Sequence, residues 1–115
     1  MKKRIYIAGP LFSHAELRFN ELVNEFVEKK GYFTFFPQRD GKKLADLLQK
    51  GESKEQSTKI IFDLDVDEIK KADILIFILD GRVPDEGACV ELGIAYALNK
   101  MCIGCLLYTS DATDE

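Results

Sequence analysis

The sequence predicts an α/β fold built on a mostly parallel sheet with helices packed on both of its faces. Three observations predict it: short apolar runs alternate with helical stretches, the segments that join them are short, and residues 73–79 form the continuous apolar run typical of a strand covered on both faces. A length of 115 residues is sufficient for one core and too small for two. We therefore expect a single domain.

The first half of the chain contains two predicted strands and one helix. Residues 4–8 and 32–36 are β-rich runs and are interpreted as strands. Between them, Ser13 and Glu16 have the spacing of a capping box, so a helix should begin at Ser13 and end at Gly31. The apolar face of this helix comprises Phe19, Leu22, Val23, Phe26 and Val27.

The second half is predicted to add three helices and two strands. The order is a polar loop at residues 38–43, helices at 44–49, 53–72 and 86–99, and strands at 73–79 and 101–108. Ser53 and Gln56 again have capping-box spacing. The inward face of the last helix is expected to include Ala88, Tyr96 and Asn99.

Composition excludes several classes of protein. A net charge of -4 argues against a nucleic-acid-binding surface. No apolar run approaches the ~20 residues that span a bilayer, and the run after the basic N-terminus is too short for a signal peptide, so we expect a cytoplasmic protein without a membrane partner. Three irregularly spaced cysteines and the single His14 offer little for a disulfide framework, a metal site or a Ser-His-Asp triad.

The topology predicts where function should lie. Right-handed crossovers bring the strand-to-helix loops to one edge of the sheet, at the carboxyl ends of the strands, where open α/β sheets bind ligands. Three loops should meet at that edge, at residues 9–12, 37–40 and 80–85.

The segment 85–93 carries the most informative side chains. Asp85 stands at the N-cap of the predicted helix, and capping alone is a sufficient reason for an aspartate there. Glu91 lies one turn beyond Gly87, and helical side chains lean toward the N-terminus. Its carboxylate should therefore point at the strand ends, above a glycine that leaves room for a substrate. A solvated surface glutamate is the alternative, and the placement favours function.

Three further residues have both a structural and a functional interpretation. Asp65 interrupts an apolar helical stripe and is a candidate proton donor with a raised pKa, unless the stripe is rotated and Asp65 joins Asp63 and Asp67 in water. Tyr6 lies near the carboxyl end of the first strand, where its hydroxyl can meet a carboxylate or its ring can simply fill the core. Gly9 is either a turn residue or a point where substrate approaches the backbone.

Residues 105–115 look foreign to the gene. The six residues 105–110 match an in-frame translation of a transposon adaptor used in sequencing libraries, and such segments are excluded from fold reasoning. A natural strand followed by a polar end is the alternative. On the adaptor interpretation, residues 1–104 are a C-terminally truncated domain that lacks its last strand-helix unit.

Four groups of residues have an informative order and spacing. They are I-Y-I-A-G-P-L-F at 5–12, F-P-Q-R-D at 36–40, Asp65, and D-x-G-x-x-x-E-x-G-x-A at 85–95. Together they resemble the nucleoside 2-deoxyribosyltransferase family, over residues 3–104, and the last pattern is the most specific. The resemblance implies a flavodoxin-like, doubly wound sheet and a double-displacement transfer of 2-deoxyribose between a deoxynucleoside and a free nucleobase. It implies no metal or organic cofactor.

The resemblance also implies roles for individual residues. Glu91 would be the nucleophile that attacks C1′, and Tyr6 would orient it. Asp85, with Asp65, would bind the base and protonate it as it leaves, which requires an acid with a raised pKa. Further candidates for contacts to base or sugar are Gly9, Gln38, Asp40 and Gly87. Family members are homo-oligomers in which the segment after the fourth strand helps to bind the sugar of a neighbouring subunit's substrate.

Two other functions remain open at this point. A 2′-deoxynucleoside 5′-monophosphate N-hydrolase would use the same glutamate with water as acceptor, and it would need basic or hydroxyl groups in the first loop to hold phosphate. Residues 10–12 are apolar, which favours the transferase. Arg18 and Arg39 are cations that could hold a phosphate, so the hydrolase stays an alternative. A non-catalytic nucleotide-binding module on the same fold is the third possibility.

Overall fold

The computed structural model describes residues 2–79 and 85–106. The predicted loop residues 80–84, the predicted strand residues 107–108 and the rest of the predicted tail lie outside the described residues. The elements in chain order are β1 (Arg4–Ala8), α1 (His14–Lys29), β2 (Phe33–Phe35), α2 (Pro37–Asp40), α3 (Leu44–Gln49), α4 (Lys54–Lys71), β3 (Ile74–Leu79), α5 (Glu86–Ala97) and β4 (Met101–Leu106).

The four strands form one parallel sheet in the order β2-β1-β3-β4. The first strand is central: Tyr6 pairs with Phe35 of β2 on one side and with Leu75 of β3 on the other. The chain starts in the middle, moves outward to β2, and then crosses back over β1 to β3. This is a doubly wound arrangement, and the predicted fold class is confirmed.

Side chains of alternate strand residues form two cores, one on each face of the sheet. On the α4 and α5 face, Tyr6, Leu75 and Phe77 pack against Ile69 of α4 and Ala88 of α5. On the α1 face, the buried cluster consists of Ile5, Ile7, Val27, Ile74 and Ile78. Burying each large side chain of this kind contributes about 1.5–3 kcal/mol, so the alternation of the β3 residues between faces fixes the strand register.

The helix starts follow the predicted capping residues. Ser13 accepts a hydrogen bond from the Glu16 amide at 3.1 Å, and the Glu16 carboxylate accepts one from the Ser13 amide at 2.8 Å, which completes the capping box of α1. Ser53 likewise accepts from the Gln56 amide at the start of α4. Gly31 follows α1 with a φ of 97°, a left-handed conformation that glycine adopts without strain.

Two predictions about helices were wrong. The segment predicted as a polar loop at 38–43 begins with a single helical turn, α2, because Pro37 supplies the fixed φ preferred at the first helical position. The predicted inward face of α5 included Tyr96 and Asn99, but Tyr96 is 77% exposed. Asn99 lies beyond the helix with a φ of 62°, where it ends the helix in a left-handed conformation.

The α1 face of the sheet is only partly covered in the described part of the chain. An apolar groove of about 410 Å³ runs between α1 and β4, bordered by Phe26 and Ile103, which are 63% and 44% exposed. No described helix is long and apolar enough to cross a membrane.

Candidate active site

The predicted nucleophile and its predicted orienting residue are in direct contact. Tyr6 lies on the central strand β1 and Glu91 on the second turn of α5, 85 residues later in the chain. The Tyr6 hydroxyl donates a hydrogen bond to Glu91 Oε2 over 2.5 Å. The Tyr6 ring is fully buried and stacks on Phe35, with ring centroids 5.3 Å apart, so the hydroxyl is held in a fixed position. One carboxylate oxygen of Glu91 therefore has a fixed hydrogen-bond partner.

The environment of Glu91 favours its protonated form more than water does. Burial raises its pKa to about 7, the hydrogen bond from Tyr6 opposes this rise, and the charges of Asp65 and Asp85 add to it. Burial and the adjacent Glu91 carboxylate raise the pKa of Tyr6 far above the ordinary value of 10.0, so Tyr6 is a hydrogen-bond donor throughout the physiological range. Glu91 is consequently divided between carboxylate and carboxylic acid near neutral pH.

Asp85 has the capping contact that its position predicts. It is half-buried, and its Oδ2 accepts a hydrogen bond from the Ala88 amide at 2.9 Å. It also borders the cavity in front of Glu91. The capping interpretation of Asp85 is confirmed, and its position beside the cavity leaves the functional interpretation a prediction.

Asp65 faces the same space from α4. Its side chain is half-buried, whereas Asp63 and Asp67 are exposed, so Asp65 does not join them in water. Burial, with a smaller contribution from the nearby Glu68 charge, raises the pKa of Asp65 to about 6. Asp65 is thus a carboxyl group that can hold a proton close to neutral pH, as a general acid must.

Two cavities meet at these carboxylates. The strand-end cavity, of about 200 Å³, lies at the predicted edge of the sheet and is lined by Gly9, Leu11, Phe12, Pro37, Asp65, Asp85, Gly87, Ala88 and Glu91. The helix cavity, of about 440 Å³, lies among α3, α4 and α5 and is lined by Leu44, Thr58, Ile61, Phe62, Asp65, Val66, Ile69, Gly87, Val90, Glu91 and Ile94. Asp65, Gly87 and Glu91 border both cavities. The pair therefore offers a polar centre flanked by apolar walls, which suits a flat aromatic base attached to a sugar.

The glycines at this edge differ in what surrounds them. A Cβ on Gly87 would lie 3.2 Å from Asp85 Oδ2 and would narrow both cavities, whereas a Cβ on Gly93 would meet nothing within 4 Å. A Cβ on Gly9 would lie 3.1–3.2 Å from Ile78 and Asn20. A larger side chain is therefore sterically unfavourable at Gly87 and at Gly9. At Gly93, no neighbouring atom would oppose a larger side chain.

Gln38 and Asp40 do not line either of the two cavities. Gln38 donates a hydrogen bond to the Leu17 carbonyl at 3.0 Å, which ties α2 to α1. Asp40 accepts from the Phe36 amide at 2.9 Å and from the Arg39 guanidinium at 2.7 and 2.8 Å, and it closes the turn of α2. Their predicted contacts to base or sugar stay predictions.

Sequence reasoning missed Asn20 and the helix cavity. Asn20 is buried on α1 and its amide reaches both the first loop and α2. The available signal was the recurrence of two asparagines, Asn20 and Asn24, four residues apart beside the apolar stripe of the helix. The helix cavity had no sequence signal, because its apolar lining residues look like ordinary core. Within residues 2–79 and 85–106, no group of three or more His, Cys, Asp or Glu side chains is arranged to hold a metal ion.

Comparison with known proteins identifies the family of the chain. The sequence profile of the nucleoside 2-deoxyribosyltransferase family matches residues 5–114. The chain belongs to this family. The predicted membership of an enzyme family that acts on N-glycosidic bonds is therefore confirmed. The match continues through most of the segment predicted to be foreign, and Cys105 and Leu106 pair with Ile78 and Leu79 as part of β4.

Solved structures share the fold of the chain. A conserved protein from Enterococcus faecalis is 30% identical over 96% of this chain, with a TM-score of 0.76, and the chain spans 66% of that protein's length. A 2-deoxyribosyltransferase from Bacillus psychrosaccharolyticus is 24% identical, with a TM-score of 0.77 and coverage of 96% and 77% of the two chains. A CMP N-glycosidase from Clostridium botulinum is 24% identical, with a TM-score of 0.58 and coverage of 96% and 74%. The last two likenesses show the fold alone. No curated protein matches the chain.

Proposed function

We propose that this chain is a nucleoside 2-deoxyribosyltransferase that moves 2-deoxyribose between nucleobases through a covalent intermediate on Glu91. The observation that carries the proposal is the position of Glu91. It is a largely buried carboxylate held by Tyr6 at the carboxyl edge of the sheet, on a cavity that it shares with Asp65 and Asp85. A retaining transfer at a glycosidic carbon requires a carboxylate nucleophile and a second carboxyl group that acts as acid and then as base, and Glu91 with Asp65 or Asp85 supplies such a pair.

The first half of the reaction forms the covalent intermediate. The free oxygen of the Glu91 carboxylate attacks C1′ of the deoxynucleoside, and the bond between C1′ and the base nitrogen breaks. The electron pair of that bond goes to the base, which takes a proton from a carboxyl group of the cavity. Asp65 is suited to this task because its pKa of about 6 keeps part of the population protonated near neutral pH.

The second half regenerates the enzyme. A nitrogen of the incoming base attacks C1′, the bond from C1′ to Glu91 breaks, and the proton that the incoming base loses returns to the carboxylate left by the first step. Tyr6 donates to the Glu91 carboxylate before and after the transfer, so it stabilises the ionised state that the nucleophile needs. Protons and electrons balance without a cofactor.

The first loop favours substrates without a 5′-phosphate. The strand-end cavity is lined by Leu11, Phe12 and Pro37, and no Lys or Arg is among its described lining residues. Arg18 pairs with Glu21, and Arg39 pairs with Glu28 and Asp40, so both cations are already engaged. We therefore favour nucleosides over nucleotides, and a nucleoside monophosphate hydrolase is the second candidate to be tested.

Two predictions about the whole protein belong to this proposal. The natural protein is expected to be a homo-oligomer in which the segment after β4 completes the sugar site, and residues 105–115 are expected to be foreign. Light scattering of the protein with its natural C-terminus would test the first. Resequencing the gene from unamplified genomic DNA would test the second, and an unchanged reading frame after residue 104 would contradict it.

The direct test is a transfer assay. Protein with its natural C-terminus is incubated with deoxyinosine and adenine, and the products are separated by chromatography. New deoxyadenosine supports the transferase. Hypoxanthine with free deoxyribose and no new nucleoside would indicate hydrolysis, and no turnover would favour a binding module.

Variants of α5 localise the activity. Glu91→Ala should abolish transfer, whereas Glu86→Ala, on an exposed position of the same helix, should retain it. Acid quenching during turnover, followed by peptide mass spectrometry, should find deoxyribose on the peptide that contains Glu91. A wild-type rate in Glu91→Ala would contradict the mechanism.

A further inference from the structure

A buried amide on α1 joins two of the loops that border the strand-end cavity. The Asn20 side chain is only 2% exposed. Its Nδ2 donates hydrogen bonds to the Pro10 carbonyl at 2.8 Å and to Gln38 Oε1 at 3.1 Å. Pro10 follows β1, and Gln38 belongs to α2, which follows β2. One side chain therefore connects the segments that leave two neighbouring strands.

The orientation of this amide is determined by its partners. The Pro10 carbonyl can only accept hydrogen bonds, so the Asn20 NH₂ group must face it. Gln38 then uses its own NH₂ group to donate to the Leu17 carbonyl at 3.0 Å, one turn before Asn20 on α1. The bridge thus runs from the first loop through Asn20 and Gln38 back to α1, and it depends on both side-chain amides.

Fold stability alone does not explain an asparagine here. Asn20 Oδ1 is buried without a hydrogen-bond partner and lies 3.2 Å from the point that a Cβ on Gly9 would occupy. A buried polar atom without a partner is unfavourable, and an apolar side chain would avoid it. The amide is therefore better explained by the two segments that it holds.

Those segments form one side of the candidate active site. Gly9 and Pro37 line the strand-end cavity together with Glu91, whereas Asn20 does not border it. We propose that Asn20 is a positioning residue that sets the separation of residues 9–12 from α2 and thereby the shape of the cavity that receives the substrate. The kinetic part of this inference rests on the proposed function, and the structural part does not.

Hydrogen exchange tests the structural part without any turnover. Asn20→Ala should accelerate amide exchange about tenfold in peptides covering residues 11–13 and 39–41 together, because both segments lose their shared anchor. Gln38→Ala should produce the same paired effect from the other end of the bridge, and it keeps the test valid if Asn20→Ala folds poorly. Asn24→Ala is the matched control, since Asn24 is 4% exposed on the same helix and its side chain forms a hydrogen bond with Glu28 of α1. Unchanged exchange in Asn20→Ala and Gln38→Ala, or an equal effect of Asn24→Ala, would overturn the inference.

Kinetics test the positioning role. Asn20→Ala should raise KM for the deoxynucleoside about tenfold while kcat changes by less than about threefold, because Glu91 and Tyr6 stay in contact. The double variant Asn20→Ala with Gln38→Ala should raise KM no further than the stronger single variant, since both remove one bridge. Additive effects on KM, or a loss confined to kcat, would overturn the positioning role. If the wild-type protein turns over no deoxynucleoside, the proposed function fails, and the exchange rates still decide whether Asn20 holds the two segments.

Discussion

Replacing Tyr6 with phenylalanine should move the pH dependence of transfer while leaving the fold intact. Phenylalanine keeps the ring that stacks on Phe35 and removes only the hydroxyl that donates to Glu91. That hydrogen bond lowers the pKa of Glu91, which burial otherwise raises and which stands at about 7. Without it, the ionised nucleophile becomes less stable, so the pKa of Glu91 should rise further.

The size of the effect follows from the strength of the bond. A hydrogen bond to a charged group contributes about 1.5–3 kcal/mol, and 1.36 kcal/mol corresponds to one pKa unit, so the pKa of Glu91 should rise by roughly one to two units. At pH 7 the ionised fraction would fall from about one half to between about one tenth and one hundredth. Transfer should therefore slow by about 5–50-fold at pH 7 and recover to within about twofold of wild type at pH 9.

The assay is the rate of deoxyadenosine formation from deoxyinosine and adenine between pH 5 and 10. Asp65 supplies the proton in both proteins, so its titration cancels when their rates are compared at the same pH. The ratio of the Tyr6→Phe rate to the wild-type rate should therefore rise with pH, as the Glu91 carboxylate forms in both proteins. Tyr96→Phe is the matched control, since Tyr96 is 77% exposed on α5. A loss of the same size at every pH would refute the reasoning.

Three other predictions use the same site. Glu91→Gln should be more stable than wild type at pH 8 and similar in stability near pH 4.5. A carboxyl group with a raised pKa stabilises the wild-type fold below pH 4.5, and this contribution is lost as pH rises through about 7. In chemical denaturation, the gain in the free energy of unfolding at pH 8 should be at most about 3 kcal/mol. Gly87→Ala should raise KM about tenfold by narrowing both cavities, whereas Gly93→Ala should leave KM unchanged and stabilise α5 by up to ~1 kcal/mol. Asp85→Ser should keep the helix cap and lose activity, whereas Asp85→Ala should lose activity and about 1 kcal/mol of stability.

Each of these predictions has a result that would contradict it. For Glu91→Gln, it is an equal gain in the free energy of unfolding at both pH values. For Gly87→Ala and Gly93→Ala, it is an equal rise in KM in both variants. For Asp85, it is full activity in Asp85→Ser, which would show that Asp85 caps the helix and has no part in the reaction.

Local signals in the sequence predicted most of the fold. The capping pair Ser13 and Glu16 fixed the start of α1, and the apolar run at 73–79 predicted β3, because both depend on neighbours in sequence. The face of α5 was harder, since a helix rich in glycine and alanine has little amphipathic pattern, and Tyr96 was assigned to the wrong side.

The candidate site depends on contacts between distant residues. Physical reasoning aimed Glu91 at the strand ends, but its contact with Tyr6 came only from the family resemblance, because no local pattern links residues 85 positions apart. The role of Asn20 was not predictable for the same reason. Its partners, Pro10 and Gln38, become neighbours only when β1 and β2 pair.

The contact between Tyr6 and Glu91 also allows the ultraviolet absorbance of Tyr6 to report on unfolding. The chain has no tryptophan and four tyrosines, so its near-ultraviolet absorbance is dominated by phenol rings. The native environment holds the pKa of Tyr6 well above its ordinary range, mainly through burial and the Glu91 carboxylate, and that environment is lost when β1 separates from α5. In an alkaline titration, the phenolate signal of Tyr6 should therefore appear together with the loss of helical circular dichroism, so that one ring reports when the first strand leaves the sheet.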